Sequence, residues 1–200
     1  DFLQEDLNGV IVRYNVSFND HRINCNGNTT LAVNNAGSQG SYIYNNVFYN
    51  DVADEGIQMK ATAAGAGKVD YKNNIFYSTA ACAYNSDAKN IYDCNCYYGN
   101  DSAVPGSDTH TVRRDPKFVG PIPTESIDGM QGADIFKLQG DSPCINAGTA
   151  IANNGGRDFW GNALYMGAPD IGAFEFGSSK APAAPVPSLA PVAIPAAKED

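Results

Sequence analysis

The sequence predicts an all-β fold, a right-handed parallel β-helix, from three observations. A short motif recurs four times within the first 100 residues. Asparagine and glycine, with 21 and 20 copies, are abundant, and both favour turns. No stretch of the sequence shows strong helical periodicity. Together these features favour short strands joined by turns.

The recurring motif reads asparagine, a small or β-branched apolar residue, any residue, an aromatic residue and a turn residue. The four repeats, numbered in chain order, are residues 12–19, 43–50, 71–78 and 92–99. Their aligned asparagines, 31, 28 and 21 residues apart, are Asn15, Asn46, Asn74 and Asn95. These spacings fit the length of one solenoid coil, so each repeat predicts one coil.

Stacked coils place equivalent residues beside one another at a spacing of ~4.8 Å. The asparagines at the turn are then expected to form a ladder of amide hydrogen bonds and to tolerate left-handed backbone angles. Two further ladders are predicted inside the coils: an aliphatic one of Val16, Val47, Ile75 and Cys96, and an aromatic one of Phe18, Tyr49, Tyr77 and Tyr98. The alternative, four strands of an ordinary sandwich, requires alternating patterns and no fixed asparagine register.

Charge and hydropathy restrict the partners. The net charge is −9, and 13 lysines and arginines are too few for the basic face that nucleic acid or an anionic membrane surface requires. No apolar run approaches the ~20 residues of a membrane-spanning helix. The start at Asp1, without a signal-like segment, favours a fragment of a longer protein.

The five cysteines have no spacing typical of a zinc site. Because the number is odd, at least one thiol stays unpaired within a monomer. The residues are Cys25, Cys82, Cys94, Cys96 and Cys144. We interpret them as small buried hydrophobic side chains.

The repeat fades after residue 100 and is replaced by segments punctuated with proline and glycine. These segments are residues 115–118, 136–138, 142–148, 157–162 and 169–175. The last coils of a solenoid must be atypical, because an open end exposes unpaired strands. We therefore expect residues 1–100 to form β-helix coils and residues 101–176 to form the final coils and a C-terminal cap. The Pro/Ala-rich residues 177–200 are expected to be a disordered linker to a further module or a surface anchor.

The C-terminal segments, which read DPxF, SPxxNAG, DxxGN and PDIGAxE in this order, resemble the end of bacterial right-handed β-helix proteins of the pectate-lyase-like superfamily. Residues 13–17 and 44–48 also resemble repeats of that superfamily, so the resemblance covers residues 1–176. It implies a secreted protein that handles polysaccharides. Lyases, glycosidases, epimerases and proteins without an assigned reaction share this fold, so the resemblance does not select one activity.

The resemblance implies two kinds of catalytic site. Polysaccharide lyases of this fold use a lysine or arginine to remove the proton alpha to a uronate carboxylate, often with calcium, whereas glycosidases need two facing carboxyl groups. The candidates for catalysis are Lys60, Arg22 and Asp20, and those for metal binding are Asp51, Asp54 and Glu55.

Two of these acids follow matching positions of neighbouring repeats, because Asp20 comes after Asn19 and Asp51 after Asn50. Stacking would set the two carboxylates one coil apart, where they repel unless they share a cation or a proton. The sequence therefore predicts a calcium site or an acid pair, with Lys60 or Arg22 as base or substrate clamp. The alternative is that the aspartates cap turn amides and the lysine is a solvated surface charge.

Other polar and aromatic residues carry weaker signals. His110 lies in a polar loop with Arg113 and Arg114, a composition suited to gripping an acidic sugar, but the sequence shows no paired acid. Trp160 is expected to pack in the cap and not to serve as a sugar platform.

The leading functional prediction is a secreted bacterial enzyme segment, monomeric, that cleaves an acidic plant or algal polysaccharide by β-elimination, with calcium as the expected cofactor. One alternative is a non-catalytic glycan-binding or surface-adhesive β-helix with the Pro/Ala tail as its stalk. Others are a glycoside hydrolase fragment and the inert structural end of a larger enzyme.

Overall fold

The computed structural model describes residues 3–5, 10–19, 30–33, 40–51, 56–61, 68–84, 88–100, 102–124, 127 and 129–179. Within these residues, eleven short strands form three sheets in which all strand pairs are parallel. Helix is confined there to α1 (Gly129–Gly132) and a 3-10 turn (Ala133–Phe136). The described residues thus have the all-β class that the sequence predicts.

Each sheet takes its strands in chain order. The first sheet contains β1 (Leu3–Glu5), β4 (Leu31–Val33) and β7 (Met59–Ala61). The second contains β2 (Ile11–Arg13), β5 (Ser41–Tyr44), β8 (Val69–Lys72) and β10 (Ile91–Asp93). The third contains β3 (Val16–Phe18), β6 (Val47–Asn50), β9 (Ile75–Ser78) and β11 (Cys96–Gly99). The chain visits the sheets in turn, an order compatible with a parallel β-helix-like solenoid.

The asparagine ladder is confirmed. The Nδ2 of Asn15 donates to Oδ1 of Asn46 at 3.0 Å, Asn46 donates to Asn74 at 3.0 Å, and Asn74 donates to Asn95 at 3.1 Å. The same oxygens also accept backbone N–H groups of the preceding asparagines. Because every amide is paired, the ladder can be fully buried at Asn46, Asn74 and Asn95 without a desolvation penalty.

The left-handed backbone angle lies one residue earlier than predicted. It occurs not at the ladder asparagines but at Tyr14, Asn45, Asn73 and Cys94, whose φ values are 50°, 52°, 53° and 55°. These residues turn the chain from the second sheet into the third. Asparagine is a usual choice for this conformation, whereas tyrosine and cysteine are not.

The predicted aliphatic and aromatic ladders exist, but they lie on the other face of the third sheet. Val47, Ile75 and Cys96 pair in register, and the rings of Tyr49 and Tyr77 stack with centroids 4.4 Å apart. On this face they pack against residues of the C-terminal segment, among them Phe136, Leu138, Cys144 and Ile171. This face is the outer face of the sheet, so the prediction of an interior position was wrong.

The inner face of the third sheet carries the intervening residues. Phe48, Phe76 and Tyr97 stack with centroids 5.4 and 5.3 Å apart and pack against Met59 and Tyr71 from the other two sheets. Both faces of the third sheet are therefore apolar and buried. In a half-exposed sheet, the alternation of polar and apolar residues identifies the inner face. Strands that are buried on both faces lack this alternation.

The C-terminal residues are fastened to the repeats by polar contacts at the turn. The Nδ2 of Asn45 donates to the carbonyl oxygens of Asp170 and Gly172 at 2.9 and 3.0 Å, and the N–H of Gly172 donates to the carbonyl of Asn73 at 2.8 Å. Gly172 has a φ of +104°, and a Cβ there would lie 2.6 Å from Cδ1 of Ile75. The PDIGA segment thus requires glycine at this position.

Two other features of the described residues bear on the sequence predictions. Cys82, Cys94, Cys96 and Cys144 are free and buried, as expected, while Cys25 lies outside the described residues. No helix in the described ranges is long and apolar enough to cross a membrane. Of the predicted linker only residues 177–179 are described, and residues 180–200 lie outside.

Candidate functional site

The outer face of the second sheet is partly open, in contrast to the covered outer face of the third: Ile11, Tyr42 and Ile91 are exposed there, whereas Tyr44 and Asp70 are buried. Its residues form two rows across the strands. One row is Ile11, Tyr42, Asp70 and Ile91, and the other is Arg13, Tyr44, Lys72 and Asp93. The intervening residues Val12, Ile43, Tyr71 and Tyr92 point into the core. Strand alternation therefore sorts polar, aromatic and charged groups onto this open face.

A groove of about 440 Å³ lies on this face. Its floor is formed by Ile11, Tyr42, Tyr44, Asp70 and Lys72, and one wall is formed by residues 150–153 of the C-terminal segment. The guanidinium of Arg13 donates to the carbonyl of Asn153 at 3.4 Å, which ties this wall to the sheet.

The groove combines an aromatic platform with cations. The side chain of Tyr42 is 45% exposed beside the exposed Ile11. Asp70 is buried and lies between two lysines, 2.9 Å from the ammonium of Lys68 and 3.7 Å from that of Lys72. Asp70 and Lys72 line the groove, while Arg13, Lys68 and Asp93 lie beside it on the same side of the sheet. These five residues are three cations and two anions, so this part of the sheet has one more cation than anion in a chain of net negative charge.

An acid and a histidine stand next to the groove. Asp93 pairs in register with Lys72, and its Oδ1 lies 2.7 Å from Nδ1 of His110, whose side chain is 69% exposed. This hydrogen bond and the negative charge of Asp93 raise the pKa of His110. The thiol of Cys94 donates to the same oxygen at 3.6 Å, and burial together with Asp93 raises the pKa of Cys94 to about 12.

These three residues are also the one set of metal-ligating side chains that the described part of the chain brings together. The ligand atoms of Asp93, Cys94 and His110 all lie within 4.8 Å of one another. A set with one oxygen, one sulfur and one nitrogen suits zinc-type ions and does not suit calcium, which requires six to eight oxygens.

Of the six predicted site residues, the structure describes Lys60 and Asp51. Asp20, Arg22, Asp54 and Glu55 lie outside the described residues. Lys60 lies in β7 and pairs in register with Ala32. Asp51 is described, and its Oδ1 accepts a 2.8 Å hydrogen bond from Nδ2 of Asn19 while its Oδ2 accepts one from the hydroxyl of Tyr49 at 3.4 Å. The calcium site predicted at Asp51, Asp54 and Glu55 stays a prediction, because two of its three residues lie outside the described ranges.

The groove residues were not among the site residues predicted from the sequence. Their signal was the sequence Asp70-Tyr71-Lys72, in which charged residues flank a core position of a strand, and the similar alternation at Tyr42-Ile43-Tyr44. The acid paired with His110 was not recognised because Asp93 becomes its neighbour only when the chain returns 17 residues later.

No protein-family model and no curated protein matches this chain. Neither comparison therefore assigns it to a family or to a reaction.

Proposed function

We propose that this chain belongs to an extracellular right-handed parallel β-helix of the pectate-lyase-like superfamily and that it binds an acidic polysaccharide in the groove of the second sheet. The architecture is supported by the parallel sheets, the asparagine ladder and the C-terminal motifs that fasten to it. The binding function is carried by one observation, the exposed Tyr42 in a groove that Lys72 also lines, with Arg13 and Lys68 on the adjoining surface of the sheet.

The two halves of this arrangement recognise different parts of a uronate sugar. An exposed aromatic ring packs against the apolar C–H face of a pyranose, which gives contact area at little entropic cost. The ammonium groups of Lys68 and Lys72 and the guanidinium of Arg13 donate charged hydrogen bonds to a carboxylate. Asp70 and Asp93 offset two of these three charges. A neutral polysaccharide would use the platform but not the cations.

Binding to defined oligosaccharides tests the proposal. Calorimetric titration with oligogalacturonate and oligoalginate is expected to show saturable binding that weakens with salt, because the carboxylate contacts are electrostatic. Neutral oligosaccharides of similar length are the control and are expected to bind more weakly by at least about tenfold. Equal affinity for neutral and acidic oligosaccharides would overturn the assignment to acidic polysaccharide.

Cleavage by β-elimination is the second candidate. Lys72 supports it, since this ammonium lines the groove, where it would neutralise a uronate carboxylate. The proposed base remains the one predicted from the sequence, Lys60 or Arg22, and neither is among the described residues that line the groove. The test follows the ultraviolet absorbance of unsaturated uronate during incubation with polygalacturonate or alginate, with and without calcium. A rise that is lost in Lys60→Ala supports a lyase. Oligouronate binding without any rise supports the glycan-binding function alone.

A further inference from the structure

We propose that Asp93, Cys94 and His110 form a binding site for a single divalent transition-metal ion of the zinc type. The site does not depend on the polysaccharide proposal. Each side chain supplies a different donor, a carboxylate oxygen, a sulfur and an imidazole nitrogen, and all three atoms lie within 4.8 Å of one another. Zinc accepts all three donor types and keeps an open position for water in sites with three protein ligands.

The ligands are assembled by the stacking of the chain. Asp93 is the last residue of β10, Cys94 is the turn residue that follows it, and His110 comes two residues before Val112, which bridges to Cys96. When the chain runs along the third sheet again at Val112, it therefore places His110 beside the turn at Cys94. This position is defined by backbone pairing, because the N–H of Tyr97 donates to the carbonyl of Val112 at 2.9 Å.

Cys94 occupies a position at which two preceding repeats carry asparagine. Asn45 and Asn73 adopt the same left-handed backbone angle, and their amides bind carbonyls of the C-terminal segment. In the fourth repeat the side chain at this place is a thiol, 3.6 Å from the carboxylate of Asp93. The departure from asparagine therefore replaces a structural amide by a soft metal ligand.

The distances suit tetrahedral coordination after a small shift. Zinc bonds of ~2.0 Å to oxygen and nitrogen and ~2.3 Å to sulfur separate tetrahedral ligands by roughly 3.3 to 3.5 Å. The sulfur-to-oxygen distance is 3.6 Å, and the oxygen-to-nitrogen distance is 2.7 Å. The imidazole must therefore move outward by roughly 0.6 Å. Its 69% exposure leaves room for that movement and for solvent at the remaining position.

The local charge is also compatible with a dication. The carboxylate and the coordinated thiolate carry two negative charges, which neutralise the ion when it displaces the thiol proton into solvent. Lys72 pairs in register with Asp93, and its ammonium lies 3.7 Å from the carboxylate of Asp70, which offsets its charge.

Cobalt(II) alone is the probe, because a thiolate bound to it gives a charge-transfer absorption in the near ultraviolet. The thiol-reduced chain is expected to bind a single cobalt ion with this absorption and to release it to added zinc. Cys94→Asn is expected to abolish the absorption while the circular dichroism stays unchanged, since asparagine suits this turn. His110→Ala is expected to weaken cobalt binding by on the order of tenfold or more.

Two variants elsewhere in the chain are matched controls. His21→Ala removes the other histidine, and Cys82→Ala removes a buried cysteine outside the proposed site. Both are expected to retain the absorption. Cys94→Ser replaces Cys94→Asn if the asparagine variant does not fold. The proposal is overturned by the absence of thiolate absorption in the unaltered chain, or by its persistence in a folded variant that lacks the Cys94 thiol.

Discussion

Asp108 ends the asparagine ladder by accepting a 2.8 Å hydrogen bond from Nδ2 of Asn95. Each ladder amide donates to the side-chain oxygen of the asparagine in the next repeat. The last amide therefore needs an acceptor that has no N–H of its own to satisfy. A carboxylate meets this need. The same oxygen, Oδ2, also accepts the backbone N–H of Asn95 and the hydroxyl of Tyr97, both at 3.2 Å.

We therefore expect Asp108→Ala to destabilise the chain strongly. It strands donors of Asn95 and Tyr97 in a buried environment, at a cost of about 1 to 3 kcal/mol for each stranded group. Asp108→Asn is expected to cost less, because its amide oxygen can still accept at the same place, although its NH2 group would take the position of Oδ1, which has no partner. Chemical denaturation measures both. Equal losses for alanine and asparagine would show that the acceptor does not matter.

The middle of the ladder is expected to be as sensitive. Asn46→Leu removes the oxygen that accepts from Asn15 and the amide that donates to Asn74, again at about 1 to 3 kcal/mol for each stranded group. Gln131→Leu, at an exposed position of α1, is expected to change the free energy of unfolding by less than about 0.5 kcal/mol. An Asn46→Leu variant as stable as the unaltered chain would contradict the role of the ladder.

Gly172→Ala is expected to destabilise by more than about 1 kcal/mol, since it combines a strained positive φ with a steric clash against Ile75. Gly177→Ala separates the two causes, because Gly177 also has a positive φ, +76°, but a Cβ there meets no atom within 4 Å. Thermal unfolding should show the larger loss for Gly172→Ala. Equal losses would attribute the whole effect to the backbone angle.

Two buried carboxyls of the C-terminal segment predict the pH dependence of stability. Burial raises the pKa of Asp170 and of Glu175. A raised pKa means that the folded chain holds the proton more tightly than the unfolded chain. The resulting stability is present below the unfolded pKa of about 4 and is lost as the pH rises through the folded pKa.

The melting temperature is therefore expected to carry a component that falls from about pH 4 towards neutrality. Glu175→Gln removes one titrating group and should make this fall shallower. Asp141→Asn, at an exposed site where Lys117 lowers the pKa, is the control and should not make it shallower. An unchanged profile in Glu175→Gln would contradict the prediction.

The groove predicts the residues needed for oligouronate binding. Tyr42→Ala and Lys72→Met are each expected to weaken calorimetric affinity by about tenfold, because one removes the platform and the other a cation. Met166→Ala and Lys117→Met alter exposed side chains outside the groove and are expected to leave it unchanged. Equal effects of the groove variants and their controls would place the binding site elsewhere.

The sequence predicted the register of the repeats but misplaced their faces. Val47 and Ile75 were recognised as equivalent, and they pair directly. Their assignment to the interior failed because Phe48 and Phe76, on the opposite face, are equally apolar. When a covering segment buries the second face as well, hydrophobicity no longer distinguishes inside from outside.

The sequence by itself determined which side chains repeat and therefore which ones stack, because a regular spacing brings like residues together in every parallel pair. The asparagine ladder follows from that rule alone. Only the tertiary structure decided what lies beside the stack. Asn45 meets Asp170 across 125 residues and Asp93 meets His110 across 17, and neither pair belongs to the repeat. Such contacts depend on where the chain returns after its loops, and no local pattern of residues encodes that path.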